Sequence, residues 1–177
     1  MKNSKEIEVK FRVQKLGGYR EKLKKLQAQL EWMGKEKNIY FERNDAYLEQ
    51  GGKVLRVREW PGHSASITSK SSAPKTSGRR YDERREEQTD IADFASMCRI
   101  LEMIGFDKVL VYEKKREHWK LGKVSIELDR LYGRSYVEIE GTKKQIDKIA
   151  RLLGLDWEDR ESRSYYRIAR ERQRKSR

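Results

Sequence analysis

The stretch Glu6-Ile7-Glu8-Val9-Lys10-Phe11-Arg12 sets a charged residue at every even position and an apolar one at every odd position. A β-strand sends successive side chains to opposite faces, so this segment has one ionic face, two acids followed by two bases, and one apolar face. A half-exposed strand with its charges in water shows the same alternation. Here the pattern recurs. Leu55-Arg56-Val57-Arg58, Ile67-Thr68-Ser69-Lys70, Val111 to Arg116, Val124-Ser125-Ile126-Glu127-Leu128-Asp129 and Tyr136-Val137-Glu138-Ile139-Glu140 all read as strands with ionisable groups on one face. Several strands with ionic faces of mixed sign imply a curved sheet wrapped around a polar cavity.

The charge content fits that reading. Charged residues make up 40% of the 177-residue chain, against about 25% in ordinary domains. The ion-pair networks of thermophilic proteins give a similar excess. Lys and Arg number 42 against 29 Asp and Glu, a formal net charge of +13, which favours polyanionic partners such as nucleotides, polyphosphate, nucleic acid or an acidic membrane. The length suits one domain, 1–170, with 171–177 as a basic tail. Cys98 is the only cysteine, so no disulfide forms within the chain, and it falls on the apolar side of a predicted helix. The N-terminus has no apolar leader and no run approaches the ~20 residues of a membrane span. A cytoplasmic protein is expected.

Along the chain, Gly17-Gly18 mark a turn, and Tyr19, Leu23, Leu26, Leu30 and Met33 recur at helical spacing, predicting an amphipathic helix over the apolar side of the first strand. Asn38 to Phe41 and Lys53 to Glu59 read as a hairpin, closed at its far end by Pro61-Gly62, with another strand from Ser64 to Lys70. Ser71 to Gly78 has the composition of a mobile loop or lid. Arg79 to Gln88 is dense in both charge signs and admits a helix, a loop or a strand. Asp90 to Ile104 predicts a helix stopped by Gly105. Lys108 to Lys120, Val124 to Asp129 and Ser135 to Glu140 predict a meander. Thr142 and Gln145 form a capping box for a helix ending at Gly154. The end of the chain is expected to be helical from Ser164 and to fray from Arg172.

Several chemistries are excluded. His63 and His118 are the only histidines, so with one cysteine a Cys/His zinc site is unsupported, and there is no Gly-x-x-x-x-Gly-Lys-Ser/Thr loop. Both histidines are read as surface residues. The ionic strand faces instead supply an acidic set, Glu6, Glu8, Glu127, Asp129, Glu138 and Glu140, and a basic set, Lys10, Arg56, Arg58, Lys70, Lys114 and Arg116. Hard divalent ions take carboxylate, water and phosphate oxygens, while Arg and Lys take the remaining phosphate oxygens. A triphosphate with its metal needs both sets on converging strands.

Glu6-Ile7-Glu8-Val9-Lys10 resembles the E-x-E-x-K signature of the CYTH superfamily, the triphosphate tunnel metalloenzymes. Further resemblances follow in the family's order: Tyr40-Phe41, Leu55-Arg56-Val57-Arg58, Thr68-Ser69-Lys70, Glu113-Lys114-Lys115-Arg116, Leu128-Asp129, Val137-Glu138-Ile139-Glu140 and Ser164-Tyr165. The likeness runs from Lys5 to about Ile168 and is greatest to the class IV adenylyl cyclase branch. It implies an α+β fold, a closed tunnel of eight antiparallel strands with a charged interior and covering helices. It also implies phosphate binding by Lys10, Arg56, Arg58, Lys70, Lys114 and Arg116. Mg²⁺ or Mn²⁺ would be held by Glu6, Glu8, Asp129, Glu138 and Glu140, with Glu127 joining by parity. Lys10, Glu8 and Asp129 are the expected catalytic residues. Aligning Ile91-Ala92-Asp93 with the start of the family's helix turns Arg84, a phosphate ligand, and Glu86, a metal ligand, inward; a slip of one residue would substitute Arg85 and Glu87. Lys70 is followed by Ser71-Ser72 where the family often has Gly-Pro, and Asn38 stands where an acid is common.

The expected function is a metal-dependent enzyme converting ATP to cyclic AMP and pyrophosphate, with a thiamine or inorganic triphosphatase as the alternative. A non-catalytic polyanion- or RNA-binding module is the rival from another class. It predicts metal-independent, salt-sensitive binding and tolerance of Glu8→Ala or Asp129→Ala. The expected partner is a nucleotide or other triphosphate, not a membrane or nucleic acid, and the resemblance is compatible with a homodimer.

Overall fold

The computed structural model describes residues 4–71 and 80–175, with side chains from Glu6 onward. Eight antiparallel strands close into a barrel: β1 (Ser4–Val13), β2 (Gln29–Arg43), β3 (Lys53–Trp60), β4 (Ser64–Ser71), β5 (Asp82–Ile91), β6 (Phe106–Leu121), β7 (Val124–Leu131) and β8 (Arg134–Glu140). Around the barrel the order is β1-β5-β4-β3-β2-β6-β7-β8. The helices are α1 (Gly17–Lys25), α2 (Tyr47–Gln50), α3 (Phe94–Met103), α4 (Lys143–Leu153) and α5 (Tyr165–Lys175).

The barrel is apolar outside and charged within. The odd residues of β1, Val9 and Phe11, pack outward with Ile126, Leu128, Val137 and Ile139 against Leu23 of α1 and Ile146, Ile149 and Leu153 of α4. Burial of this layer is what drives the helices onto the wall. A second cluster joins Ile39, Phe41 and Val57 to Cys98 and Leu101 of α3, so Cys98 lies in the core as its spacing predicts. The alternate residues, even-numbered in β1 to β6 and β8 and odd-numbered in β7, turn inward, and their charges are thereby gathered around one axis.

Local signals hold where tertiary pairing agrees with them. Thr142 and Gln145 form the capping box of α4, and Gly154 ends it at φ +67°. The predicted helix through Met33 is overturned: α1 stops at Leu26, Gln27 takes φ +59°, and residues from Gln29 enter β2. Leu30 and Met33 are exposed on that strand. Their spacing is helical, but β2 forms a ladder with β6 running from Gln29 opposite Lys120 to Arg43 opposite Phe106, and this pairing outweighs a short apolar period. Arg79 to Gln88 resolves into strand from Asp82. Ile104 lies outside the buried stripe of α3.

At the C-terminus α5 continues through Lys175 instead of fraying at Arg172. Tyr165, Ile168 and Ala169 are buried, Arg170 pairs with Glu49 and Arg163 with Glu171, and Arg172, Arg174 and Lys175 sit where the helix dipole favours cations. The expected mobile loop at 71–78 lies, apart from Ser71, outside the described residues. Among the described residues no helix is long and apolar enough to cross a membrane.

Candidate active site

The inward faces enclose a cavity of about 1130 Å³. Pairing sets its wall. Lys10 stands opposite Glu138, Glu8 opposite Glu140, Glu127 opposite both Glu138 and His118, and Arg116 opposite Asp129. Glu6 faces Arg84 across β1 and β5, and Lys70 faces Glu86 across β4 and β5. The inward pair on β5 is therefore Arg84 and Glu86, while Arg85 is exposed. The other proposed phosphate and metal residues also line the cavity, with one exception: Asp129 is fully buried behind Lys114 and Arg116.

Two ion networks organise the wall. Asp129 accepts from Arg116 Nε at 2.7 Å and Nη2 at 2.6 Å, from Lys114 Nζ at 3.0 Å and from the Tyr165 hydroxyl at 2.7 Å. Arg116 Nη2 also donates to Glu138 at 2.7 Å, and Glu138 takes Lys10 Nζ at 3.3 Å. Burial would raise the Glu138 pKa, but Lys10 and Arg116 hold it below the usual carboxylate range. Burial and Arg116 pull the Lys114 pKa down, against its three acidic neighbours. In the second network Lys70 Nζ lies 2.7 Å from Glu6 and 2.6 Å from Glu86.

Not every charge is matched. Glu8 and Glu140 face each other across the ladder, and among the described residues neither has a hydrogen bond or ion pair. Burial and then Glu138 and Glu6 raise the Glu8 pKa. Burial and then Glu6 and Glu8 push Glu140 up to about 7. On the basic side the buried Nε atoms of Arg56 and Arg84 have no acceptor, and Glu127 Oε2 is buried without a donor. Unmatched buried donors and acceptors are costly, and Arg56, Arg84 and Glu127 all border the cavity.

Some residues of the wall escape the sequence reading. Glu36 is fully buried and lies 3.3 Å from both Arg58 and Lys114 and 3.6 Å from Arg116. It also accepts from Asn38 Nδ2 at 3.0 Å and Trp60 Nε1 at 3.1 Å. The acid missing at Asn38 is thus supplied one inward position earlier. Trp32 and Trp60 line the cavity as well, as does Tyr165 of the Ser164-Tyr165 motif. The parity of Trp32 and Glu36 with Tyr40 is the available signal, hidden because the helix reading runs through Met33 and the strand reading starts only at Asn38. Of the histidines, His118 departs from the surface reading, lining the cavity with Nδ1 2.6 Å from Glu127, whereas His63 is exposed as expected and sits at the cavity's mouth.

For a metal the donor chemistry fits. Among the described residues no three acidic, His or Cys side chains form a ready-made metal cluster. Mg²⁺ is usually bound by only one or two carboxylates together with water and substrate phosphates. The unpaired, mutually repelling Glu8 and Glu140 match that requirement, with Glu6 beside them.

Comparison with known proteins gives a consistent result. The CYTH domain family model matches residues 4–165. Among solved structures, the PH1012 protein of Pyrococcus horikoshii OT3 is 30% identical, with TM-score 0.77, covering 90% of this chain and 96% of that one. A candidate adenylate cyclase of Vibrio parahaemolyticus has TM-score 0.81 at 24% identity, covering 94% and 98%. HpAC1 of Hippeastrum, a candidate adenylyl cyclase described as having a dominant triphosphatase activity, has TM-score 0.67 at 16% identity, covering 94% and 95%. These last two likenesses speak to fold alone. No curated protein matches the sequence.

Proposed function

Because the chain belongs to the CYTH domain family, we propose that it is a metal-dependent enzyme acting on a triphosphate, in the manner of class IV adenylyl cyclases, converting ATP to cyclic AMP and pyrophosphate. The observation that carries this reading is a single cavity lined by Lys10, Arg56, Arg58, Lys70, Arg84, Lys114 and Arg116, in which two buried guanidinium Nε atoms lack acceptors.

In the proposed reaction these cations hold the phosphate chain, Arg side chains by paired donors and Lys as point charges. The ribose 3′-hydroxyl attacks the α-phosphorus, its proton is lost to water, and the bond from the α-phosphorus to the pyrophosphate oxygen breaks. Lys10, Lys114 and Arg116 stabilise the charge that collects on the leaving group. Asp129 takes no part in binding directly; it fixes Arg116 and Lys114 in place. A Mg²⁺ or Mn²⁺ ion, when bound, would neutralise and orient the phosphates. Glu8 and Glu140 are its first proposed ligands, followed by Glu6, Glu86, Glu127 and Glu138. Asp129, expected to bind metal, would have to give up cationic partners to do so. Water attacking the γ-phosphorus would use the same wall and release orthophosphate, which is the alternative activity. A homodimer is proposed from the resemblance.

The test is a product assay with Mg²⁺ or Mn²⁺, offering ATP, thiamine triphosphate and tripolyphosphate separately. Cyclic AMP from ATP is the expected result. Orthophosphate release would make the protein a triphosphatase, and metal-independent, salt-sensitive binding without turnover would make it a polyanion-binding module.

A further inference from the structure

At one mouth of the barrel three rings from two elements meet. β2 turns Trp32 inward, and Gly34 gives it room, since a Cβ there would come within 2.9 Å of Trp32 Cζ2. The indole therefore lies along the inner face of β2. β3 ends on Trp60, after which Pro61-Gly62 reverse the chain, with Gly62 at φ +76° and the His63 N–H donating to the Trp60 carbonyl at 2.9 Å. Proline presets its own turn position and glycine accepts the positive φ that follows, so this turn is stiff. It sets the His63 ring 6.3 Å from Trp32, inclined by 25°, while Trp60 meets Trp32 edge-on at 6.1 Å and 77°.

None of these rings belongs to the barrel's apolar clusters, and all three line the cavity. They are also joined to the cations. The Arg58 guanidinium lies over Trp60 at 5.2 Å, and Trp60 Nε1 donates to Glu36, which in turn pairs with Arg58 and Lys114. Trp60, Arg58 and Arg56 follow one another at two-residue steps along β3, about 7 Å apart.

We infer that this mouth is a stacking subsite for a flat heteroaromatic ring carried on the triphosphate, with Trp32 as its face and His63 as its rim. The inference rests on the triphosphate reading above and specifies the substrate class: an organic triphosphate, its ring at Trp32 and its phosphates reaching inward past Arg58, in preference to inorganic tripolyphosphate. Indole and imidazole faces gain from stacking against any heteroaromatic ring; a bare phosphate chain gains nothing from them.

The experiment measures calorimetric affinities of ATP, thiamine triphosphate and tripolyphosphate for the metal-supplemented full chain and for Trp32→Ala and Gly34→Ala. The wild type should bind at least one organic triphosphate ~10-fold or more tightly than tripolyphosphate, and both variants should bring that ratio towards one. Which of the two organic ligands shows the preference identifies the ring. A wild-type ratio near one, or a ratio unchanged in both variants, overturns the subsite while tripolyphosphate binding leaves the triphosphate reading standing. Failure of all three ligands to bind the wild type overturns both. Should the β2 variants lose tripolyphosphate binding as well, His63→Ala, an exposed turn substitution, decides by the same ratio: a fall supports the subsite and no change overturns it.

Discussion

Glu36 and Glu8 show how differently two acids in one cavity can behave. Glu36 is surrounded by Arg58, Lys114 and Arg116, which outweigh the effect of burial and hold its carboxyl well below the usual range. A folded-state pKa below the unfolded value gives stability that is present above about pH 4.5 and lost as pH falls through the folded value. Glu36→Gln should therefore destabilise the protein by ~3–5 kcal/mol near neutral pH, because the buried Lys114 and Arg116 and the half-buried Arg58 lose their shared anion. The gap from wild type should narrow as pH falls below about 4.5; urea titrations across pH measure it. Glu8→Gln should act in the opposite sense. It removes one member of the repelling pair with Glu140, so unfolding free energy should hold or rise, while turnover drops by ~100-fold or more. Equal loss of stability and activity in both variants would contradict this division.

At the scale of elements, a strand whose charges alternate with apolar residues announces its own inner face, and β1, β3, β7 and β8 could be read on that basis. β2 could not. Leu26, Leu30 and Met33 imitate a helix, and only the ladder to β6 shows that Trp32 and Glu36 point inward. The same error concealed the aromatic mouth, because Trp32 on a helix has no reason to meet His63. β5 was ambiguous for another reason: its charges fall on both parities, and register with β1 and β4 selects Arg84. Arg84→Ala should lower kcat/KM by ~10-fold or more and Arg85→Ala should leave it near wild type. Similar losses in both would place the inner face elsewhere. In α4 the local signal is sufficient by itself, and Thr142→Ala should cost ~1 kcal/mol, lowering Tm by ~2–4 °C without affecting turnover.

For the molecule as a whole, the interior holds nearly matched charge and so couples ligand occupancy to folding. A triphosphate analogue at 100 times its Kd should stabilise the barrel by ~2.7 kcal/mol, seen as a Tm rise of ~5–10 °C. With EDTA present that rise should largely vanish; a shift indifferent to EDTA but abolished by salt would favour the polyanion-binding module. Closure of the barrel also governs how copies can meet. β1 bonds to β5 as far as Glu8 and to β8 from there to Val13, and where β5 departs, the Glu161 N–H caps the Lys10 carbonyl at 2.8 Å. Each strand has two neighbours around the closed barrel, so another chain could extend the sheet only where a strand outruns one of them, as Gln29 to Glu36 of β2 do before β3 joins at Lys37. Elsewhere association must use side chains on the outer surface, such as Ile100 and Met103 of α3. While the barrel remains shut, fibre growth is confined to those overhanging edges, since the closed girdle offers no other strand to extend.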